Sequence, residues 1–174
     1  MDTSIRPAAQ DYAPFYARYI ELVGPGSIVE TLEGQLNGSL TLLAGLNEAQ
    51  ANHAYAPGKW TVKQLVGHVI DTERVFAYRL LRAARGDEAT PLAGYDDEAW
   101  AATWAVDRLP LSALAAEWQA VRTSTVFLLR HLGEGDWERR VVANGAAFSV
   151  RALAYAIAGH ELHHRHLLTT RYLG

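Results

Sequence analysis

Two histidines near the end of the chain, His160 and His164, have the spacing that places two imidazoles on one side of a helix. Residues four apart on a helix share a face, with Cβ atoms roughly 5–6 Å apart. Both histidines also continue the apolar stripe formed by Leu153, Ile157 and Leu167. Buried imidazoles need partners for their ring nitrogens, and one metal ion would serve both rings. The alternative is a pair of core histidines that bond to backbone groups or carboxylates.

A third histidine, His68, has the same inward placement on an earlier predicted helix. It lies on the stripe of Leu65, Val69, Thr72 and Phe76. The other histidines lie beside turns or off the stripe, and we expect them to be solvated or hydrogen-bonded: His53, His131, His163 and His166. Three inward imidazoles leave coordination positions open for water or a substrate, which is typical of a catalytic metal site.

Residues 160–164 also match H-E-x-x-H, the zinc-protease signature in which the glutamate acts as general base. Such a protease commonly needs a further ligand, but the ten residues after His164 include no Asp, Glu or Cys. On a helix, Glu161 lies about 100° from His160 and points away from a metal between the histidines. We therefore interpret Glu161 as a helix-surface residue or as one that supports the ligands.

Two polar residues one turn after His68 are candidates to orient the site. Asp71 and Thr72 follow His68 by three and four residues, so either would accept a ring N–H or orient a metal-bound water. An equal alternative for Asp71 is a surface ion pair with Arg74. Other nearby side chains have more ordinary expected positions. Trp60 is expected in the core, and Tyr95 and Trp100 are expected as core or loop anchors, with a place in a connection that covers the site as the alternative. Arg79 and Arg82 are expected on a solvated helix face, with binding of an anionic substrate as the alternative.

Four long helices are the elements that must position these side chains. Capping boxes at Ser27/Glu30 and Thr61/Gln64 mark two helix starts. The long helices are predicted at about 28–46, 61–85, 111–132 and 149–172, with short helices at 14–23 and 97–104. Asn144-Gly145 favours the tight turn of a small β-hairpin. We expect an all-α four-helix bundle in one domain, 1–174, with residues 1–10 loose or draped over the surface.

Composition excludes several other classes of protein. The 174 residues are 49% hydrophobic and 20% charged, with a net charge of −3, as in an ordinary globular domain. No Lys/Arg cluster indicates nucleic-acid binding, and no apolar run approaches the ~20 residues of a membrane span. The absence of cysteine excludes disulfides, thiolate ligands and a cysteine nucleophile. Residues 1–7 lack the apolar core of a signal peptide, so we expect a cytoplasmic protein.

Three segments, taken together, resemble the DinB-like superfamily of four-helix metalloproteins, also called YfiT-like metal-dependent hydrolases. They are residues 57–73 (PGKWTVKQLVGHVIDTE), 92–97 (LAGYDD) and 159–165 (GHELHHR). Their order and separation match, and the resemblance extends over nearly the whole chain. It implies an up-down-down-up bundle with His68, His160 and His164 as the metal triad. The family's usual Gly-Gln after the final His-His-Arg is replaced here by His-Leu, which leaves the ligands intact.

The resemblance also implies a reaction class. Three imidazoles suit Zn, Ni or Fe(II), and the family includes enzymes that transfer low-molecular-weight thiols such as bacillithiol or mycothiol. A metal ionises a thiol as well as a water, and a cysteine-free chain is compatible with a thiol supplied as cosubstrate. We expect transfer of such a thiol to a small electrophile, by a homodimer. The alternatives are a metal-dependent hydrolase, a non-catalytic metal-stabilised binding module, or a metal-free bundle.

Overall fold

Four long helices form the body of the molecule, and the predicted four-helix bundle is confirmed. The structure is a computed structural model that describes residues 2–174. The long helices are α2 (Ile28–Ala44), α4 (Val62–Ala84), α6 (Leu111–Arg130) and α7 (Val150–Leu167). The shorter elements are helices α1 (Ala17–Ile20), α3 (Glu48–Ala51) and α5 (Asp97–Thr103), 3₁₀ turns at Ala9–Asp11, Pro14–Tyr16, Val106–Arg108 and Glu134–Glu138, and a π-helical turn at Leu168–Tyr172. Within residues 2–174, no helix is long and apolar enough to cross a membrane.

Side-chain caps fix where two of the long helices begin. Thr61 accepts a hydrogen bond from the backbone N–H of Gln64 at 3.1 Å, and the Gln64 side chain accepts one from the backbone N–H of Thr61 at 2.9 Å. This capping box is the predicted start of α4. Ser27 accepts from the backbone N–H of Glu30, but the Glu30 side chain does not complete a box. The Ser27 hydroxyl instead shares a hydrogen bond with the Thr3 hydroxyl at 2.7 Å.

A β-hairpin leads from α6 into α7, as the sequence predicted. Strands β1 (Arg140–Ala143) and β2 (Ala146–Ser149) pair antiparallel. At the turn, Asn144 and Gly145 have φ angles of 50° and 75°. A tight hairpin turn of this type requires positive φ at both positions. The last residue of β2, Ser149, caps the first turn of α7. The hairpin therefore sets the point at which the helix with the two later histidines begins.

Helices α4 and α6 run parallel. Near their starts, Glu48 binds both of them, through the Lys63 ammonium at 2.7 Å and the backbone N–H of Leu111 at 3.0 Å. Further along, Arg74 of α4 pairs with Glu117 of α6 at 2.6 Å. The long connection between these helices therefore returns the chain to the end from which α4 started.

Helices α2 and α7 also run parallel. The Gln35 side chain donates to the carbonyl of Ala158 at 3.0 Å, and three residues later Gly38 faces Arg165. The two remaining neighbouring pairs, α2 with α6 and α4 with α7, run antiparallel. The up-down-down-up order implied by the family resemblance is thus the order in the structure.

Two apolar clusters fill the bundle, and buried charges lie between them. The first cluster includes Leu32, Phe76, Leu80, Val126, Leu129, Leu153 and Ile157. The second includes Leu36, Leu43, Leu65, Ile70, Leu114, Trp118 and Leu168. Glu73, Arg122 and Glu161 lie along their helices between the members of the two clusters, and each is at most 2% exposed. We call these three residues the central ion cluster.

The N-terminal residues lie across the surface of the bundle. Arg6 donates to the backbone carbonyls of Val23 and Ile20 at 2.6 and 2.7 Å. The phenol of Tyr155 donates to the carbonyl of Ser4 at 3.3 Å. These bonds attach the segment to α1 and α7.

Gly159 lets α1 lie directly against α7. A Cβ atom at this position would be 2.0 Å from the backbone oxygen of Tyr19, far inside van der Waals contact. Only glycine allows this approach, because it has no Cβ. The contact matters for function because Gly159 immediately precedes His160, and α1 carries Arg18 and Tyr19 beside the histidines.

We expect Gly159→Ala to lower the free energy of unfolding by about 3 kcal/mol, the upper end for overpacked sites. The control is Gly34→Ala in α2, where an added Cβ meets nothing within 4 Å. That variant should be more stable by about 0.5–1 kcal/mol, because alanine favours a helix interior. Urea unfolding followed by circular dichroism measures both. A Gly159→Ala protein as stable as the parent would contradict the close approach.

Candidate metal centre

The three inward histidines converge on one point. Nε2 of His160 lies 3.0 Å from Nε2 of His68 and 3.0 Å from Nε2 of His164. One ring nitrogen from each histidine lies within 4.8 Å of the other two, and all three side chains are buried. α4 supplies one ring and α7 supplies two, and the antiparallel packing of these helices brings the rings together.

The two short nitrogen–nitrogen contacts cannot both be hydrogen bonds. A neutral imidazole nitrogen either carries one hydrogen or presents one lone pair. Nε2 of His160 therefore bonds to one neighbour and leaves the other facing it at 3.0 Å without a hydrogen bond. A buried unsatisfied polar group costs roughly 1–3 kcal/mol. A cation that accepts a lone pair from each ring satisfies all three nitrogens at once.

Burial keeps the three imidazoles neutral, which is the form that binds metals. It lowers the pKa of His68 to about 4, and Asp97 opposes this effect only in part. Burial, followed by the neighbouring imidazoles, also lowers the pKa values of His160 and His164 well below 6.5. Ligands about 2.1 Å from a tetrahedral zinc lie roughly 3.4 Å apart, so these donors fit such an ion after a small adjustment.

The histidines lie at the wall of an open cavity of about 280 Å³. The lining is mostly aromatic and cationic and comes from several parts of the chain: Phe15, Tyr16, Arg18, Tyr19, Trp60, His68, Thr72, Phe76, Arg79, Gly94, Tyr95, Asp97, Asn144, His160 and His164. Helices α4 and α7 supply the histidines. The rest of the wall comes from further residues of α4, from the 3₁₀ turn Pro14–Tyr16 and α1, from the residues before α4 and at the start of α5, and from the hairpin tip.

Trp60 is a wall of this cavity rather than the core residue we expected. Its ring centroid lies 4.7 Å from that of His68, and its indole N–H donates to Glu98 at 3.0 Å. Tyr95 lines the cavity and Trp100 packs against it at 4.8 Å. Tyr95 therefore faces the site from the connection, whereas Trp100 packs on Tyr95 and is 43% exposed.

The two polar residues after His68 have different surroundings. The Thr72 hydroxyl shares a hydrogen bond with the Tyr95 hydroxyl at 2.8 Å and lines the cavity. Asp71 pairs with Arg74 at 3.4 Å, which is the surface alternative. In the hydrogen-bond network of residues 2–174, neither residue accepts a ring N–H from the histidines. Thr72 is part of the cavity wall, and Asp71 lies outside the cavity.

Glu161 points away from the histidines, as the helix geometry predicted, but it is not on the helix surface. It is 1% exposed and belongs to the central ion cluster. Arg122 reaches it at 2.8 Å, and Ser39 and Gln35 donate to it at 2.6 and 2.5 Å. The helix-surface expectation was wrong because the carboxylate has charged and polar partners on α2 and α6. Those partners hold α7 in the rotation that directs its histidines toward His68.

We expect Glu161→Gln to retain a stoichiometric metal ion, because the carboxylate lies away from the three ring nitrogens. The variant should lose about 1–3 kcal/mol of unfolding free energy, since hydrogen bonds to charged groups stabilise by that order. Glu134→Gln, at an exposed position, is the matched control and should change stability by less than about 0.5 kcal/mol. Loss of turnover by many orders of magnitude, with metal and fold retained, would restore the general-base interpretation.

One of the remaining histidines, His163, packs against a triad ring, with its centroid 5.0 Å from that of His164. His53, His131 and His166 are exposed. His163 is half-buried, with its ring edge-on to Tyr19 at 5.3 Å, and it does not line the cavity. Their positions agree with our expectation that they are not ligands.

Two cavity residues were missed or misread from the sequence. Asp97 lines the cavity from the first turn of α5, and we used it only as part of the family segment. Arg79 was assigned to a solvated face, but it is 3% exposed and also lines the cavity. A usable signal was present, because the spacing of 4, 4 and 3 residues from His68 through Thr72 and Phe76 puts Arg79 on the same stripe.

Comparisons with known proteins agree with this architecture. A protein of Geobacillus thermodenitrificans, named as a candidate metal-dependent hydrolase, is 30% identical over 126 residues, which are 70% of this chain and 69% of that protein. Two solved structures share the fold. YfiT from Bacillus subtilis, described as a candidate metal-dependent hydrolase with an unusual four-helix bundle topology, has a TM-score of 0.69 at 20% identity and covers 95% of this chain and 90% of its own. A mycothiol-dependent maleylpyruvate isomerase has a TM-score of 0.60 at 17% identity, over 79% of this chain and 58% of its own.

Family membership follows from a family model that matches most of the chain. The family model of the DinB superfamily matches residues 31–168. The matched range starts in α2, ends just after α7 and includes all three converging histidines. With the bundle order and the relatives described above, the match shows that this chain belongs to the DinB superfamily.

Proposed function

We propose that the protein is a metal-dependent enzyme that acts on a small molecule, with one divalent ion (Zn, Ni or Fe) held by His68, His160 and His164. The supporting observation is the convergence of three neutral imidazoles beside an open cavity. No fourth His, Asp, Glu or Cys of residues 2–174 joins this group. A structural zinc site usually has four protein ligands, whereas three ligands leave a position for substrate.

The reaction we favour is transfer of a low-molecular-weight thiol to an electrophile. A divalent ion at this site supplies one chemical function, lowering the pKa of a thiol or water that it coordinates. The chain contains no cysteine, so the thiol comes from a cosubstrate. Trp60, Tyr19 and Phe76 give the cavity apolar surfaces that hold an electrophile beside the histidines and exclude water from the reacting atoms.

Hydrolysis is the second candidate, and Asp97 is the observation that favours it. Its carboxylate lines the cavity and lies close enough to His68 to oppose the fall in that residue's pKa. In this candidate reaction the Asp97 carboxylate would take a proton from an attacking water, a role that contributes typically 10²–10⁴-fold to a rate. The curated relative named as a candidate metal-dependent hydrolase agrees with this class.

Metal analysis and a paired assay test the proposal. Protein purified without a His tag is analysed for bound metals by mass spectrometry. It is then assayed with bacillithiol, mycothiol, glutathione or cysteine against a chlorinated nitroarene, and separately with esters and amides, before and after chelation. We expect metal-dependent conjugation with at least one thiol. Cleavage without conjugation, together with a loss of about 10²-fold or more in Asp97→Asn, would assign the protein as a hydrolase. A protein without bound metal would refute both.

A cytoplasmic location and a homodimer stay predictions of this proposal. Light scattering coupled to gel filtration measures the mass in solution, for which a dimer would give twice the 19.1 kDa of the chain. A single species at the monomer mass, over the concentration range of the assay, would contradict the dimer.

A further inference from the structure

Arg79 is a buried cation without a carboxylate partner. It is 3% exposed, and no Asp or Glu of residues 2–174 lies within ion-pair distance of it. The other buried arginines differ, because Arg122 pairs with Glu73 and Arg151 pairs with Glu138. One guanidinium nitrogen of Arg79 donates to the carbonyl of Ala93 at 3.0 Å. The Tyr16 phenol also lies beside the guanidinium. A guanidinium has five N–H donors, so donors remain for a ligand.

The cavity holds this guanidinium in a defined place. Its central carbon lies 5.6 Å from the ring centroid of Phe76 and 5.9 Å from that of Tyr95. Arg79 follows His68 by eleven residues on α4, a Cα separation of roughly 16 Å along the axis. Long helical side chains lean toward the helix N-terminus, so the guanidinium leans along the cavity toward the histidines. The guanidinium and the three histidines line the same cavity, and Arg79 lies about three helical turns along α4 from His68.

The remaining charges of the cavity favour an anion. Two arginines, Arg18 and Arg79, line it against one carboxylate, Asp97. Burial raises the pKa values of Tyr16 and Tyr95, the latter to about 12, so both phenols stay neutral. The planar guanidinium fork matches the two oxygens of a carboxylate in a bidentate pair.

We infer that Arg79 binds a carboxylate of the substrate, at the end of the molecule remote from the atom that reacts at the histidines. This inference rests on the proposed function, because it names the substrate class for the same cavity. The substrate is then an elongated organic acid whose middle part contacts the aromatic walls.

The test compares an acid with its neutral amide. Binding of 4-methylbenzoate and 4-methylbenzamide is followed by tryptophan fluorescence, because Trp60 lines the cavity. The metal-free protein is used first, so that a carboxylate bound to the metal cannot produce the signal. We expect the acid to bind at least about tenfold more tightly than the amide, the order of one charge-assisted pair. Equal binding of acid and amide would overturn the inference, whatever metal the protein contains.

Matched variants locate the charge. Arg79→Met should reduce the preference for the acid to within about twofold, and Arg79→Lys should keep part of it, because lysine retains the charge but not the fork. Arg85→Met, at the exposed C-cap position of α4, should leave the preference unchanged. Circular dichroism checks that each variant is folded. If Arg79→Met is unfolded, the acid preference of Arg79→Lys is compared with that of the parent protein instead. Loss of the preference in Arg18→Gln but not in Arg79→Met would overturn the assignment, as would tighter binding of 4-methylphenyl phosphate than of the acid.

The outcomes separate the two proposals. A metal-binding protein without acid preference keeps the proposed function and loses this inference. A protein that binds no metal but shows an Arg79-dependent preference loses the proposed function and keeps the carboxylate site. In the metal-loaded enzyme, Arg79→Lys should raise KM for the substrate that carries the carboxylate. A higher KM for the electrophile alone or for the thiol alone therefore identifies that substrate.

Discussion

His160→Ala should bind a divalent ion more than about 100-fold less tightly than the parent protein. Even the loss of a group that only orients a ligand typically lowers metal affinity 10–100-fold, and His160 is itself the ring in contact with both other histidines. The double variant His160→Ala/His164→Ala should contain no stoichiometric metal. Competition with a chromophoric chelator measures the affinity, and mass spectrometry measures the metal content.

His166→Ala is the control for this result, because it removes an exposed imidazole from the same helix. It should keep the metal content and affinity of the parent. Stoichiometric metal in the double variant would show that the ion binds elsewhere and would remove the basis of the proposed chemistry.

Arg122→Met should lower the free energy of unfolding by about 3–5 kcal/mol, the usual result when one partner of a buried ion pair is removed. Arg122 contacts Glu73 at 2.8 and 2.9 Å and Glu161 at 2.8 Å. Methionine fills part of the space of the arginine side chain but leaves the carboxylates of Glu73 and Glu161 buried without their cation. Urea unfolding followed by far-ultraviolet circular dichroism measures the loss.

Arg130→Met, two turns later on α6, is the matched control. Arg130 is 55% exposed at its side chain and pairs with Glu33 at the surface. Exposed pairs contribute about 0–1 kcal/mol, so this variant should differ little from the parent. If Arg122→Met were equally mild, the central ion cluster would contribute little to the stability of the bundle.

Helical periodicity was sufficient to predict the bundle and to select the three histidines. The reason is physical, because burial of an apolar stripe dictates helix rotation, and a histidine on such a stripe is carried inward with it. Thr61 and Gln64 likewise marked the start of α4 through local hydrogen bonds alone. Local rules of this kind need no knowledge of the neighbouring helices.

Charged residues were the part that the sequence misplaced. Glu161 and Arg79 were assigned to helix surfaces, yet both are buried. A buried charge depends on a partner or a ligand from another element, and that pairing has no periodic signature in either segment. The role of Gly159 was hidden for the same reason, because its neighbour is the backbone of Tyr19, which lies 140 positions away in the chain.

The division of the cavity between helices and connections makes the site suitable for directed evolution. The ring donors are on α4 and α7, in the rigid bundle, whereas Gly94, Asp97 and Asn144 line the cavity from connections and the hairpin tip. A mutant library confined to such connecting segments would vary which molecules are admitted while the three imidazoles keep their arrangement. Selectivity and reactivity could then be optimised in separate rounds, with retained metal content as the selection filter that discards misfolded variants.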